Sequence, residues 1–201
     1  MEKKFVIRAW IYGLAIISNA NFIRIKKQHK IRAKKMLTYF AKHNETGMDF
    51  IHQGAIIPIG NINNYNYTIF CGSKGDNRYS DNWNTVKRLG SFNLSIDEDN
   101  CFWVMQINEL EDWSDDKLID HDFLTEEVYD NNNKLTEVYR AVKVPFSKGM
   151  YSITIYGLKR KNPSPGNIGE TTNYGFYFEL EPTDTLSSME DPTETDFKCY
   201  D

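Results

Sequence analysis

The residues best suited to chemistry in this chain are four histidines, three cysteines and a dense run of acids. Asp120-His121-Asp122 places an imidazole between two carboxylates, which could orient a base or hold a metal. An ordinary surface histidine among acids accounts for the same three residues. His29, His43 and His52 form no HExxH and no pair at ligand spacing. Asp97-Glu98-Asp99-Asn100 opens like a calcium loop but lacks the Gly at the sixth position and the trailing Glu, so a turn is expected. Cys71-Gly72-Ser73-Lys74-Gly75 has neither the spacing nor the following helix of a P-loop. Cys71, Cys101 and Cys199 are odd in number and irregular in spacing, which argues against a disulfide framework or a zinc site. Small apolar fillers in a reduced compartment are expected instead. No catalytic residue, metal ligand or cofactor is assigned.

Charge is more informative. The 201 residues carry a formal net charge of −4, which argues against a general nucleic-acid binder. That small number conceals a separation: residues 1–43 hold eleven Lys/Arg and one acid, and residues 44–201 hold thirteen and twenty-seven. Between Glu109 and Glu137 stand eleven acids against Lys117 and Lys134. Such a stretch steers a basic partner. The expected contact residues are Glu111, Asp112, Asp115, Asp116, Asp120, Asp122, Glu126 and Glu127, with Trp113 and Trp83 as aromatic anchors beside polar loops. Trp83, Trp103 and Trp113 could also form a sugar-stacking platform, or serve as partly buried anchors of a sheet.

The elements that must position these residues are mostly strands. The N-terminal segment admits four readings: a secretory signal, a membrane anchor through residues 5–23, a chain that biologically starts at Met36, or a strand or helix followed by a basic amphipathic helix through Phe40. From about residue 47 the hydrophobic period becomes two. Tyr65–Cys71, Ser91–Asp97, Cys101–Asn108, Val138–Phe146, Tyr151–Tyr156 and Tyr174–Leu180 read as strands. The second and third of these read as a hairpin. Between Asp112 and Asn133 the pattern loosens towards a short helix capped by Asp115-Asp116. The expectation is a mainly β protein: an antiparallel β-sandwich over residues 44–182, a basic N-terminal extension over 1–43, and an acidic flexible tail over 183–201.

Val142-Lys143-Val144-Pro145-Phe146 followed by Lys148-Gly149-Met150-Tyr151-Ser152-Ile153-Thr154-Ile155-Tyr156 resembles a strand–turn–strand of the competence nuclease-inhibitor family and of several small bacterial immunity proteins. The resemblance implies a β-sandwich that binds and silences a nuclease or toxin, and it assigns no functional residues. With the acidic stretch, it makes a non-catalytic, cytoplasmic immunity or inhibitor protein with a cognate toxin as partner the leading expectation. An exported carbohydrate-binding module, periplasmic or membrane-anchored, is the alternative.

Overall fold

The computed structural model describes residues 3–10, 13–76, 78–129, 133–166 and 171–200. Period-two alternation yields ten strands: β1 (Lys3–Arg8), β2 (Gly13–Ile17), β3 (Ile56–Gly60), β4 (Asn66–Ser73), β5 (Trp83–Ile96), β6 (Cys101–Gln106), β7 (Phe123–Tyr129), β8 (Leu135–Pro145), β9 (Gly149–Arg160) and β10 (Tyr174–Pro182). Three short helices, α1 (Asn19–Gln28), α2 (Met36–Lys42) and α3 (Asn44–His52), lie between β2 and β3.

The strands form one sheet in the order β3-β2-β6-β8-β1-β4-β10-β9-β5, with β7 joined to β8. β1 runs parallel to β8, as β4 does to β10, and every other pairing is antiparallel. The β-rich class is as expected, but the antiparallel sandwich is not: a single mixed sheet curls into a nearly closed barrel. The expected hairpin is also corrected. β5 pairs with β9, while β6 pairs with β2 and β8, so the turn at Asp97–Asn100 leads into a different part of the sheet. Every residue of β6 is buried, and a strand with two dry faces needs a partner on each edge.

Inward-facing residues fill the barrel. Tyr67, Phe92, Phe102, Phe176 and Phe178 meet at its centre, with Tyr67 and Phe176 stacked at 5.2 Å. The seam between β3 and β5 has no strand ladder and is sealed by other means. Ser95 N donates to Gly54 O at 2.9 Å, and Asn93 Nδ2 donates to both His52 O and Ser188 O at 3.0 Å. Gly54 has φ +69°, and a Cβ there would lie 2.6 Å from Ser95 N, so this closure requires glycine. The C-terminal segment supplies part of this seal. Phe197 is wholly buried against Phe92, Cys199 is buried behind Gly175, and Tyr200 packs on Tyr65 and Tyr174. Asp196, an acid of that segment, pairs with Lys87 at 2.6 Å.

A second core lies outside the barrel, where the helices cover β2 and β6. Phe22, Phe50, Ile25 and Met36 pack on Ala15, Ile17, Trp103 and Met105. Within the N-terminal segment lie β1, β2, α1 and α2, and α3 completes the helical cap. Residues 5–23 contribute β1, β2 and the start of α1, and among the described residues no helix is long and apolar enough to cross a membrane.

Phe197→Ala should cost about 3–5 kcal/mol in denaturant unfolding, the usual loss for a buried phenylalanine, whereas a frayed tail would make it neutral. Burial pushes the Cys101 thiol up to about 11 and the Cys199 thiol up to about 12. A disulfide-exchange reagent at pH 8 is accordingly expected to label these two cysteines only as the chain unfolds. Rapid labelling of either under native conditions would contradict the packing described.

Candidate functional site

Much of the acidic stretch is used within the fold. Residues Ile107–Asp112 form a 3-10 turn that runs beneath the helical cap. Thr38 N and Oγ1 at the start of α2 both donate to the Glu111 carboxylate, with the N–H bond at 3.0 Å. Lys26 pairs with Asp115 at 2.6 Å, and Trp113 N donates to Lys34 O at 2.9 Å. Asp122 lies 3.7 Å from Lys143. Asp112, Asp116 and Asp120 are exposed, and the hydrogen bond from Ser114 holds Asp116 below the usual carboxylate range. The two expected aromatic anchors are not on the surface. Trp113 is 1% exposed and packs on Phe22, and Trp83 is 4% exposed, with the Arg160 guanidinium 4.9 Å from its ring centre. Large rings close a core more favourably than they face water, and both loops fold inward to place them there. No sugar platform can be built from them. Asp120-His121-Asp122 is an exposed turn, and among the described residues no group of three or more His, Cys, Asp or Glu could hold a metal ion.

The surface that remains is the β7–β8 hairpin. Its pairs run from Phe123↔Val142 to Tyr129↔Leu135, with one shift between Leu124 and Thr125. The residue that shift leaves over is Arg140, which has no partner in β7. Its side chain is redirected: Arg140 Nη1 reaches the buried Glu109 carboxylate at 3.0 Å, and Lys117 reaches the same carboxylate at 2.8 Å. This ion triad fastens the hairpin to the 3-10 turn. Gln106 Nε2 adds a bond to Glu126 at 3.2 Å.

Held in this way, β7 and β8 present Phe123, Thr125, Glu127 and Tyr129 beside Val142, Tyr139, Glu137 and Leu135 on one face, because paired residues of antiparallel strands share a face. Phe123 is 52% exposed, Tyr129 71%, Leu135 45% and Tyr139 38%. Four large apolar side chains in one row are an unusual use of surface. Phe123 and Tyr139 meet edge to face at 5.5 Å. Beside them a groove of about 400 Å³ is lined by Phe5, Val6, Phe123, Tyr139 and Val142. It opens where β8 touches β1 through a single bridge, Ile7↔Tyr139. At the middle of the row, Glu127 stands directly across from Glu137, whose carboxylate accepts from Thr125 Oγ1 at 2.9 Å. Like charges directly opposite one another destabilise a strand pair. A cation laid between them would relieve that repulsion.

Of the contact residues expected from sequence, Glu126 and Glu127 lie on this hairpin and Asp122 immediately precedes it. Glu111 and Asp115 are engaged by the cap, and Trp83 and Trp113 are core. Phe123, Tyr129, Leu135, Glu137 and Tyr139 were not singled out. A signal for them exists: Leu124-Thr125-Glu126-Glu127-Val128-Tyr129 is followed, after an asparagine-rich run, by Leu135-Thr136-Glu137-Val138-Tyr139. Two such similar β-forming runs flanking turn residues are a hairpin signature. Comparison of the chain with family models, with curated proteins and with solved structures finds no match.

Glu127→Lys replaces a repulsive cross-strand pair by an attractive one and should raise the melting temperature of the free chain by about 1–3 °C. An unchanged or lower melting temperature would mean that Glu127 and Glu137 do not repel. Glu109→Gln leaves Arg140 and Lys117 without their shared carboxylate and should cost about 3 kcal/mol, read by urea denaturation.

Proposed function

We propose that this chain is a non-catalytic binding protein that docks a basic protein partner on the exposed aromatic face of the β7–β8 hairpin. One observation carries the reading: Phe123, Tyr129, Leu135 and Tyr139 are exposed in a row around the facing pair Glu127 and Glu137. Exposed aromatics beside a groove supply the contact area and slow dissociation. The acids speed association with a basic surface and disfavour an acidic one. The row is too apolar to be ordinary solvated surface and too acidic to attract nucleic acid.

The partner suggested by the resemblance in Val142–Tyr156 is a toxin, and a nuclease fits the charge because its substrate channel must be basic to hold phosphates. In this reading the chain acts as an immunity or inhibitor protein by covering that channel. Neither cofactor nor catalytic residue is required. The packed barrel interior supports surface recognition over enclosure of a small ligand.

The test is affinity capture from the source cells with the wild-type chain and with Phe123→Ala/Tyr129→Ala, followed by binding of the purified pair. The wild type should retain a basic protein whose toxic or nuclease activity falls in step with added chain. The double variant should bind it at least about 30-fold more weakly, as loss of central aromatic contacts does. Association should slow as salt is raised. Equal binding by the double variant, or capture through the exposed lysines Lys27, Lys30, Lys34 and Lys35, would overturn the proposal.

A further inference from the structure

The sheet has three strands with a single strand partner, β3, β5 and β7, and the fold treats their free edges differently. β3 carries Pro58, which has no N–H to donate, and is packed against the turn Pro192–Glu194. β5 is covered by the C-terminal segment: Asn93 clasps Ser188, the Ser188 hydroxyl donates to Ser91 O, and Lys87 binds Asp196. β7 has neither device. Its sequence, Phe-Leu-Thr-Glu-Glu-Val-Tyr, contains no proline and no lysine, and its one irregularity falls on the β8 side, at Arg140. Unsealed edges are a liability that proteins ordinarily block. Two of the three are blocked here.

We infer that the free edge of β7 is a strand receptor, and that the partner adds an extended segment bearing Lys or Arg alongside it. The inference rests on the docking face proposed above and specifies how it is used. Backbone groups of β7 would supply the hydrogen bonds, and its side chains the selection. A cation of the added strand opposite Glu127 lies beside that carboxylate, with Glu137 one strand further on, and a second, on the other face, lies opposite Glu126. Along the same face the added strand meets Tyr129 two positions to one side, and Thr125 at two positions and Phe123 at four on the other. The partner segment therefore reads apolar–x–cation–x–x–x–apolar, with a second cation beside the first.

A second copy of the chain does not fit. Antiparallel self-pairing centred on the strand sets Glu126 against Glu126, and moving the centre by one residue sets Glu127 against Glu127. Either register places like charges directly opposite. The same glutamates that invite a basic strand reject the strand's own duplicate.

The probe is a blocked peptide, Thr-Val-Thr-Arg-Lys-Val-Thr-Val, titrated into the isotope-labelled full chain and followed by amide resonances and amide exchange. The expected result is saturable binding that slows exchange of the β7 amides pointing away from β8. N-methylation of alternate peptide nitrogens should weaken binding by at least about tenfold. Glu126→Lys/Glu127→Lys should lose this peptide by a similar factor and bind its Glu-Glu counterpart instead. Absence of binding, insensitivity to N-methylation, equal affinity for the Glu-Glu peptide, or a concentration-dependent dimer of the chain alone would each overturn strand addition. Insensitivity to N-methylation combined with loss of partner capture by Phe123→Ala/Tyr129→Ala would leave the docking face standing while removing the strand mechanism.

Discussion

Strands β2 and β6 have no wet face, and much of the molecule follows from that constraint. Their inward residues, Leu14, Ile16, Phe102 and Val104, fill the barrel, while Ala15, Ile17, Trp103 and Met105 point outward and are just as apolar. Left uncovered, that outer patch would be a large exposed hydrophobic surface. The covering helices have ten, seven and nine residues, lengths at which an isolated helix is marginal in water. They are therefore stabilised by what they cover. Phe22 meets Phe50 at 4.8 Å and Trp113 at 4.7 Å, which ties α1, α3 and the segment after β6 into one cluster. Charge fixes its placement, with Lys26 on Asp115 and the start of α2 on Glu111.

The opposition between a basic N-terminal quarter and an acidic remainder is thus in part an intramolecular complement. This shifts the functional argument from the acids as a whole to the few that the fold leaves unneutralised. Glu127 and Glu137 face each other on the hairpin, and the aromatics around them have no core to enter. The hairpin is anchored from behind by Glu109, Lys117 and Arg140. A buried carboxylate shared by two cations adds little net stability over an apolar alternative, but it sets geometry, because removing any member strands the others. The arrangement resembles a rigid support behind a sticky surface.

Local patterns were legible in the sequence wherever one residue in two had to face a core. Strands β4, β9 and β10 fall within a few residues of where alternation places them, and Arg140, a charge among the alternating Val138, Val142, Val144 and Phe146, is the bulged residue. What alternation could not convey was partnership. Ser91–Asp97 and Cys101–Asn108 are joined by a short turn and read as a hairpin, yet their partners lie about 40 residues or more away in sequence. The polar, acidic composition of the C-terminal segment masked the three residues, Phe197, Cys199 and Tyr200, that help close the barrel. Trp83 and Trp113 misled for a related reason: polar sequence neighbours say little about a ring that the chain can fold inward. The exposed hairpin face escapes the alternation pattern because Glu126, Glu127 and Glu137 interrupt the hydrophobic period.

The central claim is that the fold seals two sheet edges and leaves the third, with its aromatic and acidic face, open. Native-state amide exchange of the free chain tests it most directly, since protection reports on hydrogen bonding strand by strand. The account predicts slow exchange at Ser95 and Ser188 along the seam, and fast exchange at the outward amides of β7. Protection of those β7 amides in the free chain, or free exchange along the seam, would contradict it.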